Sequence, residues 1–89
     1  MASDIRAITY KGGAAVTTSD TADDPNGPFA AFYVGATGGN VTVVAVDGST
    51  LLLAGTVVGT IYPIAIRRVK VSGTNATSIL GLKATSGEL

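Results

Sequence analysis

Residues 29–54 read FAAFYVGATGGNVTVVAVDGSTLLLA, and this stretch decides the fold class. Runs of Phe, Tyr, Val, Leu and Thr suit a pleated, half-buried surface. Gly38-Gly39-Asn40 and Asp47-Gly48 break those runs with residues that tolerate the positive φ of tight reversals. The stretch predicts a three-stranded antiparallel meander. Within residues 41–46, Val41, Val43 and Ala45 share one face, and Thr42, Val44 and Val46 share the other. Both faces are largely apolar, so this strand is expected at the centre of a sheet, covered on both sides.

The same alternation extends outward. Further strands are expected near residues 14–18, 60–67, 69–72 and 77–82, beside those at 29–35, 41–46 and 50–54. Neither face of residues 64–71 is cleanly apolar, which predicts a bulge or bend near Arg67-Arg68 that re-aims one Arg. Pro63 cannot donate to a ladder, so its strand belongs at an edge or at a break. The fold class is all-β: a small antiparallel β-sandwich or barrel of about seven short strands, jelly-roll-like or meander. Residues 1–13 read as an N-terminal arm, either an added strand or a peptide docking on a neighbour. Residues 14–83 form the β-sandwich domain, and 84–89 a polar C-terminal tail. Residues 19–28, with two prolines and three Asp, read as a polar surface loop.

Composition bounds the function. A chain of 89 residues holds one core and buries roughly 60% of its extended surface. Six basic residues cancel six acidic ones, which argues against nucleic acid or an acidic membrane as the main partner. There is no His, Cys or Trp. Disulfides, thiolate or imidazole metal sites, Cys nucleophiles and His-based triads are therefore excluded. No catalytic residue, cofactor site or metal site is assigned, and the chain is read as not an enzyme. Yet 46% of residues are hydrophobic, high for so small a domain. The excess must enter a bilayer or be buried against other subunits, itself as a homo-oligomer included. Residues 48–66 are uncharged and contain Gly55-x-x-x-Gly59, but Thr, Gly and Pro63 interrupt them, and a buried β core is the better reading. No secretory leader is expected, since Asp4 and Arg6 stand where an apolar stretch would be needed.

The polar motifs are weak. Asp20, Asp23, Asp24 and Asn26 form a cluster of hard-metal ligand types without the spacing of a calcium loop. They are expected to cap their own backbone. Arg67, Arg68 and Lys70 form the basic cluster, either guarding a strand edge or making a salt bridge to the Asp-rich loop of another subunit. Asn40-Val41-Thr42 and Asn75-Ala76-Thr77 read as turn asparagines beside β-threonines rather than glycan acceptors. Gly35-Ala36-Thr37-Gly38-Gly39 lacks the Lys-Ser/Thr of a phosphate cradle. Nothing positions a Ser–Lys dyad from Ser72, Ser78 or Lys83.

An ordered series of motifs carries a resemblance. It begins with Thr18-Ser19-Asp20-Thr21, Phe29 and Phe32-Tyr33-Val34-Gly35, and continues through Gly38-Gly39-Asn40-Val41 and Asp47-Gly48-Ser49-Thr50. It then follows Gly59-Thr60-Ile61-Tyr62-Pro63-Ile64-Ala65-Ile66-Arg67-Arg68-Val69, Gly73-Thr74-Asn75-Ala76-Thr77 and Ile79-Leu80-Gly81-Leu82. This series resembles the head-spike base and capsid decoration proteins of gene transfer agents and related tailed phages of α-proteobacteria. Two features depart from that pattern: Ala30-Ala31 precede the aromatic block where a polar or basic residue is usual, and Lys83–Leu89 continue past the last strand.

The resemblance implies a virion structural protein on the outer capsid surface, made in the host cytoplasm. It would be a head decoration (cement) or vertex spike-base protein. Its partners would be the major capsid protein, further copies of itself and a spike fibre protein, with no nucleic acid and no membrane. Ile5, Ile8 and Tyr10 are expected as apolar anchors of the arm, and Arg67 and Arg68 as polar pins of the interface. A virion-surface carbohydrate- or receptor-binding module is the alternative, and would need exposed aromatic rings.

Overall fold

The computed structural model describes residues 9–84. Its strands are β1 (Tyr10–Ala15), β2 (Ala31–Thr37), β3 (Gly39–Ala45), β4 (Thr50–Thr56), β5 (Ile61–Tyr62), β6 (Ile66–Val69) and β7 (Thr77–Ala84). They form two antiparallel sheets with orders β1-β7-β2-β5 and β4-β3-β6. Residues 17–28 run beside β6, where Ser19 N–H donates to Val69 O and Asp24 N–H to Arg67 O, each at 2.9 Å. With that segment in the place of a strand, the order is that of a jelly roll, the double-sheet solution to exposed edges.

The core lies between the sheets: Phe32, Val34 and Ile79 from the first, Val41, Val43, Ile66 and Val69 from the second, with Phe29 bridged to Ile66. As expected, β3 is the central strand of its sheet, with both Val43 and Val44 buried. Phe32 stacks on Tyr62 with ring centroids 5.3 Å apart. The bulge expected near Arg67-Arg68 is present. Val44 pairs with Arg68 but Ala45 pairs with Ile66, so Arg67 is the extra residue on β6. Ile66 and Val69 are three apart and would face opposite sides of a regular strand. The inserted Arg67 brings both to the interior. Asp47-Gly48 turns the β3–β4 hairpin, with Gly48 at φ +95° and its N–H donating to Ala45 O.

The structure corrects the strand reading in four places, one being the strand expected at residues 69–72, which is absent because β6 ends at Val69 and the chain turns at residues 71–73. Residues 29–54 are not a meander, because β2 lies in the first sheet and β3 and β4 in the second. The chain changes sheet at Gly38, where backbone approaches too closely for a side chain: a Cβ there would meet the Thr56 carbonyl. The expected strand at residues 60–67 is two strands in different sheets. Pro63 ends β5, and β6 begins at Ile66. The first strand lies at Tyr10–Ala15 rather than 14–18. Gly12-Gly13 reads as the end of the arm, yet Gly13 is needed inside β1 because a Cβ would strike the Gly81 backbone. The end of the segment read as an arm, from Tyr10, is therefore edge strand.

Candidate interaction surface

The two flanks of the sandwich differ in chemistry. On the β6 flank, the segment of residues 17–28 is fastened by its own acids. The Asp24 side chain, buried at 6% exposure, accepts from Thr17 N–H at 2.7 Å and from Asn26 N–H at 2.8 Å. Ser19 Oγ accepts from Thr21 and Ala22 N–H. Asp20 accepts from Ser72 N–H and Oγ–H, both at 2.9 Å. Those hydrogen bonds favour the charged form and hold the Asp20 carboxyl below its ordinary pKa. Asp23 meets Arg68 Nη2 at 2.8 Å and Arg67 Nε at 3.6 Å. The salt bridge weighed for a subunit interface is thus made within one chain: the β6 bulge turns both Arg toward the Asp-rich segment. Each carboxylate serves the backbone or an Arg, and among the described residues no three acidic side chains converge on one point.

Arg67 Nε is buried and has no hydrogen-bond partner. It borders a shallow groove of about 230 Å³ between Asp23, Pro28 and Val46. Of the other expected interface residues, Tyr10 is half-buried at the start of β1, opposite Ala84 in the ladder and in the other sheet from the Arg pair. Ile5 and Ile8 lie outside the described residues. The structure brings Arg67 and Arg68 together and does not bring Tyr10 to them.

The β4 flank is apolar and uncovered. β4 pairs only with β3, and its Leu51 and Leu52 are exposed, followed by Val57 and Val58 in the turn to β5. Leu52 and Val57 are 60% and 61% exposed. No charged residue interrupts residues 48–66 to guard this edge. Around the corner, Ile61, Tyr33, Leu80 and Ala15 are successive cross-strand partners, so one apolar row crosses the outer face of the first sheet. Single-residue reading assigned residues 48–66 to buried core. The signal available was the lack of any charge on a strand whose only neighbour is its hairpin mate. Of the protein's five aromatic residues, Phe29 and Phe32 are buried, and Tyr10, Tyr33 and Tyr62 are half-buried, Tyr33 within that outer row. No helix among the described residues is long and apolar enough to cross a membrane.

The fold and surface define a small all-β module of two antiparallel sheets with one polar, fastened flank and one open apolar flank. No family model matches this chain, and no curated protein matches it. Among solved structures, the chain is similar to a chain of the "Capsid of native GTA particle computed with C5 symmetry", GTA being a gene transfer agent. The TM-score is 0.73 at 27% sequence identity, over 84% of each chain.

Proposed function

We propose that this chain is a structural protein associated with a virion-type capsid, with a non-enzymatic role. The similarity to a chain of a GTA capsid, over 84% of both chains and in sequence as well as fold, carries this reading. In finer terms, it is a head decoration or vertex spike-base protein on the outer capsid surface that binds the major capsid protein and further copies of itself. The ordered motifs from Thr18 to Leu82 support this, as does an apolar flank that the chain leaves wet. Adhesion is the mechanism: each 400 Å² of apolar contact is worth on the order of 10 kcal/mol before association costs. Repetition over a shell multiplies modest single contacts. Residues 1–8, with Ile5 and Ile8, are assigned to capsid docking, and Arg67 and Arg68 to the rim of the interface. None of the described aromatic rings belongs to a fully exposed residue, so the carbohydrate-binding alternative gains no support.

Imaging of particles made with and without this gene tests the reading. Loss of external density at vertices or capsomer junctions is expected, and indistinguishable particles would overturn it. Removing residues 1–8 is expected to strip the protein from particles with its circular dichroism unchanged, because β1 starts at Tyr10.

A further inference from the structure

The backbone ladder shows which edges of the sandwich are open. Thr42 N–H donates to Thr74 Oγ1 at 2.9 Å and Thr42 O accepts from Lys70 N–H at 2.8 Å, so both groups face the β6 side. Leu52 is the cross-strand partner of Thr42. In an antiparallel ladder its own N–H and C=O therefore point away from β3, to the open edge. The same reasoning holds at β1. Leu82 O accepts from Ala30 N–H on the β2 side, and Gly13 is the partner of Leu82, so the Gly13 backbone groups point outward. The other two edges are unsuitable. β5 is two residues long, and the 17–28 segment occupies the edge of β6.

Two free edges of useful length thus remain among the described residues, on opposite flanks. β4 continues through the Val57–Thr60 turn into β5, where Val57 N–H donates to Tyr62 Oη. β1 continues into the segment along β6. Their side chains are complementary in size: Leu51, Leu52 and Leu53 on β4, Gly12, Gly13, Ala14 and Ala15 on β1.

We infer that the β4 edge of one copy takes the β1 edge of a second copy as an added strand. This deepens the self-association part of the proposed function and rests on it. Because the edges lie on opposite flanks, the contact is head-to-tail, and repetition closes a ring or extends a filament. Backbone pairing supplies the join, with the exposed Leu51 and Leu52, on alternate faces of β4, set beside the small β1 residues of the neighbour.

Edge complementation tests the inference. Leu52→Pro and Ala15→Pro each block one edge, and Leu52→Lys and Ala15→Lys serve if a proline variant loses its circular dichroism. Wild type is expected to self-associate in light scattering, and each variant alone to fall to the 8.8 kDa single-chain mass. An equimolar mixture is expected to stop at twice that mass, since one good β4 and one good β1 edge remain. Self-association by Ala15→Pro at the wild-type level would overturn the pairing in favour of β4 against β4. Loss of association on removing residues 1–8, with Ala15→Pro still associating, would overturn it in favour of the N-terminal segment as the occupant. A monomeric wild type at high concentration would overturn self-association itself, while capsid binding is judged separately on particles.

Discussion

Gly81 lies against the ring of Phe29, so closely that a methyl group at 81 would run into the ring carbons. Phe29 is 2% exposed and belongs to the core. Gly81→Ala is therefore expected to cost about 1–3 kcal/mol by overpacking. Gly12→Ala, where nothing lies within 4 Å, is the control and is expected near neutral. Urea midpoints of the two variants, compared at equal slope, check this; equal midpoints would refute the contact.

Asp24 fastens the 17–28 segment from inside. Alanine there leaves the Thr17 and Asn26 N–H groups without acceptors, at a cost of about 1–3 kcal/mol. Asp24→Asn retains one oxygen and is expected to fall between wild type and Asp24→Ala. Amide exchange at Thr17 and Asn26 should accelerate in Asp24→Ala ahead of the amides of β3.

Asp20 predicts an acid-side effect. Hydrogen bonds from the Ser72 backbone and side chain hold its folded pKa below the ordinary value of 3.8. A depressed carboxyl contributes stability that is fully present above 3.8 and is lost as pH falls through the folded value. Asp20→Asn and Ser72→Ala are thus expected to lower stability at neutral pH and to flatten its decline on the acid side of pH 3.8. Thermal melts from pH 7 to pH 2 measure this, and a decline as steep as wild type in Asp20→Asn would remove the role of Asp20.

The Asp23–Arg68 pair is mostly a surface feature, with Asp23 at 51% side-chain exposure. Its charge is expected to contribute at most about 1 kcal/mol, and less at high salt. Arg68 is also the cross-strand partner of the buried Val44 on the outer face of the second sheet. Arg68→Met, which keeps an apolar stem, is expected to cost less than Arg68→Ala. Denaturation at low and high salt separates the two contributions.

Much of the fold was legible in local chemistry. The alternation in residues 41–46 gave the central strand, Asp47-Gly48 the hairpin, and the mixed faces around Arg67-Arg68 the bulge. Sheet membership was not legible, because a glycine pair signals reversal equally for a hairpin and for a crossing between sheets. Residues 35–41 carry no mark that tells these apart. Gly13, read as part of the arm, misled for a related reason: it answers to the Gly81 backbone, distant in sequence. The candidate surface was read in part. The basic and acidic clusters were found, but their pairing within one chain depends on the segment lying along β6. The bare β4 edge appears only once its neighbours are known.

The last strand of the chain is the middle of its sheet: β7 sits between β1 and β2 and touches both. Until residues 77–84 are made, β1 has no strand beside it and β2 has only the two-residue β5, so the first sheet closes late. A message cut short before Thr77 would encode no smaller version of the domain, only two unfinished halves with their greasy sides in water.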